Sequence, residues 1–401
     1  MRRVFAPHLA PSPAEAREFA RLWLAWRRTL RLLRPLGSVS DGNRVQLFSE
    51  GDAAFEAMWA AIARARTSVL QSTYVLEPDR VGLRTLELLT QAAARGCEVA
   101  LVFDYFGSFH LDDAHLDPLR RVGGRVYSYN PMWRGPSRRS RLVRNHLKIL
   151  VIDGEIGFCG GLNVAEEYAG KEHGSGLFRD TLLRLEGPCA VDLAQLVASV
   201  VSEISGRAPK LPPPADSQVD GALVQILQSR VRRRRRGIQR ALRMTLTHAV
   251  ERCWLTSPYF VPPPRLMRAL VRAARSGVDV RVLTAGRTDV PLVRRASRHL
   301  YGRLLEAGVR IFEMQGRTLH AKTAAIDGVY ASVGSFNLDH WSDRRNLEVN
   351  VSVLDRRLAG ALERDFEGDL AISEEVRLER WRRRRPIERA LDWLFYQVLR
   401  I

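Results

Sequence analysis

A polar constellation occurs twice in this 401-residue chain: His146, Lys148, Asp153 and Asn163 return as His320, Lys322, Asp327 and Asn337, each 174 residues further on. A duplication at that period constrains the fold strongly, because the chain must then hold two copies of one structural unit. The similarity extends beyond the motifs. Val45-Gln46-Leu47-Phe48 matches Val224-Gln225-Ile226-Leu227, Ser72-Thr73-Tyr74-Val75 matches Ser257-Pro258-Tyr259-Phe260, and Gly96 to Val99 matches Gly277 to Val280. Each half reads strand, helix, strand, helix, strand and then a hairpin, an α/β plan. The length suits two domains with sizeable cores. The expected division is a basic amphipathic segment at 1–41, a first domain at 42–206, a linker at 207–221 carrying Pro209, Pro212, Pro213 and Pro214, a second domain at 222–372, and a second basic amphipathic segment at 373–401.

The motif spacing suits a strand. Alternation puts His146 and Lys148 on one face and Leu147 and Ile149 on the apolar other. Asp153-Gly154 and Asp327-Gly328 are two-residue hairpin signals, which predicts returning strands over Ile156 to Gly160 and Tyr330 to Gly334. Each hairpin would deliver its asparagine beside its own histidine. A histidine can attack phosphorus or carry a proton, while a lysine ammonium and an asparagine amide can hold phosphate oxygens without a metal. Two copies supply one histidine for each end of a displacement. Asp180 and Glu348 open similar strands, 34 residues after His146 and 28 after His320, so they are candidate acceptors for the second ring nitrogen of a histidine. Asp153 and Asp327 are further catalytic candidates, with service to the hairpin or to a structural ion pair as the alternative.

Lys plus Arg number 63 against 44 Asp plus Glu, a net charge of +19 that attracts anionic lipid surfaces or nucleic acid. The run Arg232 to Arg236 adds to that field. Cys97, Cys159, Cys189 and Cys253 sit singly in apolar segments, which argues for buried free thiols and against a zinc site or disulfide framework. No apolar run approaches the ~20 residues needed to span a bilayer, and no signal-peptide core is seen, so a cytoplasmic-side location is expected. Phe19, Leu22, Trp23, Trp26, Leu30 and Leu33 follow helical spacing among arginines, as do Ile387, Leu391, Leu394, Phe395 and Val398 after Arg382 to Arg385. Two such helices predict attachment to an anionic membrane surface, with packing on their own domain as the alternative. The offset between the halves falls from 185 at Tyr74 and Tyr259 to 174 at the histidines, so the first half holds eleven extra residues. Seven of them are expected within Pro131 to Arg141, a basic loop that could clamp an anionic head group through Arg138 and Arg139 or be a solvated surface loop.

His-x-Lys-x4-Asp with a downstream Gly-Gly/Ser-x-Asn resembles the signature of the phospholipase D superfamily. Paired in one chain, with Gly42-Asn43-Arg44-Val45-Gln46 and Thr256-Ser-Pro-Tyr259-Phe-Val-Pro262, it is similar to the bacterial cardiolipin synthases over Gly42 to Phe366. The shorter B type is the better match, because two N-terminal membrane spans are not seen. The resemblance implies two tandem phospholipase D-like domains, each a mixed sheet flanked by helices, with a shared active site at their interface. It implies phosphatidyl transfer through a phosphohistidine, with His146 as nucleophile and His320 as general acid and then base, and with no cofactor or metal. It further implies a phospholipid substrate such as phosphatidylglycerol, and a peripheral position on the cytoplasmic face of the bacterial inner membrane. Gly161 stands where the second copy has Ser335, and both are candidate substrate-binding positions. A phospholipase D hydrolase and a superfamily nuclease share the motif, and the terminal helices favour lipid over nucleic acid.

Overall fold

Both Asp-Gly pairs turn as their chemistry requires. Asp153 and Asp327 each have φ of 54°, followed by Gly154 at 72° and Gly328 at 62°, the two positive φ values of a type I′ turn, although the pairing of Ile152 with Ile156 and of Ile326 with Tyr330 makes each connection one residue longer than the two-residue loop expected. The returning strands are Ile156–Gly160 and Tyr330–Gly334, as the sequence predicts. The computed structural model describes residues 22, 26, 29, 31–131, 143–211, 213, 215–217, 221–230, 235–288, 290–339, 342 and 345–400.

In the first half the sheet order is Arg125–Tyr129, Glu98–Asp104, Ser68–Thr73, Ile149–Ile152, Ile156–Gly160, Leu182–Glu186 and then residues 44–48. The first three strands are parallel and are joined by the helices Arg80–Ala94 and Asp113–Arg121, whereas the hairpin side is antiparallel. The second half repeats this plan as Arg310–Met314, Asp279–Ala285, Arg252–Thr256, Thr323–Ile326, Tyr330–Gly334, Asn346–Leu354, Ala222–Arg230 and then residues 37–43. Its outer parallel strand also takes the short antiparallel Ser373–Glu375 at its edge.

Local start signals differ between the copies. Asp79 and Asp112 cap their helices by accepting from the Gly82 N–H at 2.9 Å and the His115 N–H at 3.2 Å, whereas Pro264 and Pro291 open the corresponding helices of the second half.

One strand, Gly37–Phe48, belongs to both sheets, so the boundary expected at residue 42 falls inside it. A common core also joins the halves. Leu147, Val151 and Leu185 share it with Val333, Val349 and Val351, under the helices Cys189–Ser205 and Arg356–Leu370. Each large aliphatic side chain buried there contributes about 1.5–3 kcal/mol. The relative placement of the halves is therefore held by packing and does not depend on the 207–221 segment alone. All four cysteines are buried free thiols.

The N-terminal stripe corrects the membrane-helix reading of that segment. Leu22, Trp26 and Leu33 are buried in the core of the second half, with Trp26 stacked on Tyr330 at 5.4 Å and its indole N–H donating to Asp327 Oδ2 at 3.1 Å. An amphipathic helix beside an open apolar cleft of its own domain gains by filling it, and these side chains are then unavailable to lipid. Phe19, Trp23 and Leu30 lie outside the described residues.

The C-terminal helix Pro386–Arg400 differs. Ile387 is 63% exposed, Val398 57% and Leu394 48%. No helix among the described residues is long and apolar enough to cross a membrane.

Candidate active site

Ser72 lies opposite Ile149, and Thr256 opposite Thr323. Both histidine-lysine segments therefore emerge at the carboxyl edge of the parallel strands, where ligands of open α/β sheets gather. The segments themselves are extended linkers. His146 to Lys148 joins the two-residue strand Arg144–Asn145 to the hairpin strand Ile149–Ile152, and His320 to Lys322 joins Thr318–Leu319 to Thr323–Ile326.

Those short strands reach across the molecule. Arg144–Asn145 pairs in parallel with Asn346 and Leu347, and Phe178–Arg179 pairs in parallel with Thr318–Leu319. The His146 N–H donates to the Leu347 carbonyl at 3.0 Å, and the His320 N–H to the Arg179 carbonyl at 2.8 Å. Each histidine is thus fastened to the residue preceding the other half's acid. His146 Nδ1 lies 2.9 Å from Glu348 Oε2, and His320 Nδ1 lies 2.6 Å from Asp180 Oδ2. Sequence spacing places each acid after the histidine of its own copy; the cross-half strand pairing exchanges them. A carboxylate on Nδ1 holds the proton there and leaves Nε2 free.

The Gly161 and Ser335 difference follows from the two acids. A Cβ at Gly161 would sit 2.1 Å from Asp180 Oδ1, so only glycine admits the carboxylate at that distance. In the other copy Ser335 Oγ donates to Glu348 Oε2, and Asn346 Nδ2 donates to Oε1 at 3.1 Å. The two acids are buried and held by different donors.

Electrostatically, the site disfavours cations until an anion enters. Burial pushes His146 below the ordinary imidazole range, and the Lys148 and Lys322 ammonium groups add to this against Glu348. His320 is lowered by burial and by Lys322, with Asp180 opposing. Burial and Lys322 bring Lys148 down to about 7, although Glu348 and Asp180 pull it back. Burial raises Asp180, but the charge and hydrogen bond of His320, together with Lys322, outweigh it and keep the carboxylate ionised. The influence of each lysine on the other half's groups is what a single composite site produces. An anionic phosphate would reverse the balance: a unit charge about 4 Å away at an effective dielectric near 20 is worth roughly 4 kcal/mol, on the order of three pK units.

Aromatic rings wall the imidazoles. Tyr74 meets the His146 ring edge-on at 5.1 Å and lies 5.3 Å from Lys148 Nζ, while Tyr168 and Phe178 pack on His320 at 5.1 and 5.4 Å. These residues are absent from the motif reading. Tyr74 had a signal, its match with Tyr259. Tyr168 had none, because its counterpart 174 residues on is Ser342. Arg144 was also missed; it is paired with the buried Asp104 at 3.2 Å, two residues before His146.

The remaining candidates divide by role. Asn163 donates to Tyr168 Oη at 2.7 Å and accepts from the Val75 N–H at 3.3 Å, whereas Asn337 Oδ1 is buried with no hydrogen-bond partner among the described residues. Asp153 and Asp327 lie at the turn end of their hairpins, away from the histidines. The Asp153 carboxylate accepts from the N–H groups of Arg66, Thr67 and Ser68, and Asp327 from those of Val250, Glu251 and Arg252. They tie each hairpin to the start of a central strand, a structural role in place of the catalytic one considered above. Arg138 and Arg139 lie outside the described residues. Among the described residues, the side chains close enough to share a metal ion are Glu56, Glu172 and His173, a group that includes neither site histidine.

A family profile described as "Cardiolipin synthase, PLD-like domain" matches residues 58–179 and 242–370. "Cardiolipin synthase A" of Pseudomonas aeruginosa (strain LESB58) is 37% identical over 333 residues, covering 83% of this chain and 68% of its own length. "Cardiolipin synthase" of Halalkalibacterium halodurans is 32% identical over 359 residues, covering 88% of this chain and 71% of its own. Phosphatidylserine synthase from Haemophilus influenzae Rd KW20 superposes with a TM-score of 0.67 at 10% identity, over 94% of this chain and 97% of its own, a likeness of fold.

Proposed function

This chain belongs to the family of cardiolipin synthases with phospholipase D-like domains, and we propose that it is a phosphatidyltransferase that joins two phospholipids through a phosphohistidine. The observation that carries the reading is the crossed pairing, in which two buried histidines are each oriented by the opposite half's acid. A displacement at phosphorus needs a nucleophile and a proton donor, and this arrangement supplies both from equivalent positions.

His146, the nucleophile by family resemblance, attacks the phosphatidyl phosphorus through Nε2. The P–N bond forms as the P–O bond to the head group breaks, and His320 gives the departing alcohol oxygen its proton. A head-group hydroxyl of a second lipid then returns a proton to His320 and attacks the same phosphorus, which breaks the P–N bond. With phosphatidylglycerol in both roles the products are cardiolipin and glycerol. In this reading Lys148, Lys322 and Asn337 stabilise the pentacoordinate phosphorus. The phosphate's own charge favours the protonated His320 that burial and Lys322 resist.

Attachment to an anionic membrane as a peripheral protein forms part of the reading. The exposed Ile387, Leu394 and Val398 lie along one stripe of the C-terminal helix, with Arg382, Arg383 and Arg385 just before it, and this supports the assignment.

The test is incubation of the purified protein with labelled phosphatidylglycerol vesicles in the presence of chelator, with products resolved by mass spectrometry. Cardiolipin with glycerol is the expected outcome. Phosphatidic acid alone would make the protein a hydrolase, and cleavage of single-stranded DNA without lipid turnover would make it a nuclease.

A further inference from the structure

We propose that the mouth of the active site docks directly on a phospholipid bilayer, with Phe106 and Phe109 of the loop 105–111 as inserted side chains. The inference rests on the lipid reading above and adds a membrane contact distinct from the C-terminal helix.

Phe106 is 60% exposed and Phe109 68%, although one turn of loop between them reaches a buried anchor. The Ser108 hydroxyl donates to the Tyr74 carbonyl at 3.2 Å and accepts from the Leu76 N–H at 2.9 Å, and the Phe106 N–H donates to Asp104 Oδ1 at 2.9 Å. Gly107 lies so close that a Cβ there would sit 2.3 Å from the Tyr74 carbonyl oxygen. The loop backbone is therefore fixed on the peptide of the tyrosine whose ring touches His146. Both phenylalanines face outward on a well-held loop, at a cost in exposed apolar surface that a membrane would remove.

Two neighbours give the surface its character. The Arg144 guanidinium, ion-paired with the buried Asp104, lies 5.9 Å from the Phe106 ring centroid and supports that ring from below the surface. The equivalent loop of the second half, between Asp279–Ala285 and Pro291–Leu305, exposes Val290, and the first turn of the helix that follows exposes Leu292. Both loops follow the middle parallel strand of their half, and so both lie on the carboxyl edge that carries the histidines. An apolar rim on each side of a phosphate-handling site suits a bilayer, from which the lipid passes between the rims. A protein bound there would cover the mouth.

Because all four native cysteines are buried, Phe106→Cys and Phe109→Cys can be labelled selectively with a polarity-sensitive fluorophore; Val122→Cys, at the far end of the helix Asp113–Arg121, serves as an exposed control. On addition of phosphatidylglycerol vesicles, emission from positions 106 and 109 should rise and shift to the blue while position 122 stays unchanged. The unlabelled Phe106→Ser/Phe109→Ser double variant should lose vesicle affinity by roughly tenfold for each phenylalanine, and keep wild-type turnover of a short-chain phosphatidylglycerol dispersed as monomers. Emission at 106 and 109 that behaves like 122, while the wild type turns over vesicle lipid, overturns the docking inference and leaves the enzymatic reading intact. The emission shift without any lipid turnover supports the docking surface and removes the enzymatic reading.

Discussion

Replacing the two orienting carboxylates by amides, Asp180→Asn and Glu348→Gln, should damage turnover unequally. Asp180 Oδ2 faces His320 Nδ1 at 2.6 Å while Oδ1 accepts from the Thr181 N–H at 2.7 Å, so both oxygens meet donors. An asparagine amide has only one acceptor oxygen. Turned toward His320, that oxygen leaves the NH2 pressed on a buried backbone N–H that cannot rotate. Turned the other way, the NH2 faces Nδ1 and forces the tautomer protonated on Nε2, so His320 cannot receive the incoming hydroxyl's proton. A triad histidine held in the wrong tautomer loses on the order of 10⁴ in kcat, equivalent to about 5 kcal/mol of barrier. At Glu348 the second oxygen meets Asn346 Nδ2, on a half-buried side chain that can turn its own amide over. Glu348→Gln then exchanges a charge-assisted hydrogen bond for a neutral one, a cost of about 1–2 kcal/mol, or roughly five- to thirtyfold in rate. Initial rates on phosphatidylglycerol vesicles measure the difference, and histidine ¹⁵N shifts identify which ring changes tautomer. Equal losses in the two variants, or an Asp180→Asn effect that appears at His146, would refute the crossed-orienter argument.

His146→Ala and His320→Ala should each lower turnover by on the order of 10⁴ or more, with the double variant no worse than either, since a lost step cannot be lost again; near-normal turnover in a single variant would exclude paired-histidine chemistry. Trp26→Ala removes a fully buried indole stacked on Tyr330 and should cost about 3–5 kcal/mol of unfolding free energy in urea, whereas a loss under about 1 kcal/mol would mean that the N-terminal segment does not support the fold. Lys148, brought down to about 7 by burial and Lys322, loses its ammonium charge as pH rises, so kcat/KM should fall from about pH 7 upward. The fall in kcat should come at higher pH because bound phosphate favours the charged lysine; profiles flat to about pH 9 would contradict this.

Local information carried the hairpins. Asp153-Gly154 and Asp327-Gly328 select a type I′ turn whatever surrounds them, so the strands Ile156–Gly160 and Tyr330–Gly334 were legible in advance. The apolar stripe of the N-terminal segment was legible as well, but its destination was not. Helical periodicity says that a face will be buried without saying against what, and Trp26 found Tyr330 and Asp327 some 300 residues along the chain. The turn aspartates show the same limit. Their place in the motif suggested chemistry, while their carboxylates serve the backbone N–H groups of a preceding loop.

By itself the sequence determined that this protein has two equivalent halves, an α/β plan, a duplicated histidine-lysine pair and buried thiols, because each of these follows from residue type and spacing along the chain. Only the tertiary structure decided that Glu348 serves His146 and Asp180 serves His320, that Tyr74, Tyr168 and Phe178 wall the imidazoles, and that the loop exposing Phe106 and Phe109 is anchored on Tyr74. The reason is physical. Those relations arise where the parallel pairing of Arg144–Asn145 with Asn346–Leu347, and of Phe178–Arg179 with Thr318–Leu319, brings one half's backbone onto the other's, and such contacts between residues far apart in the chain leave no periodic trace in the order of the amino acids.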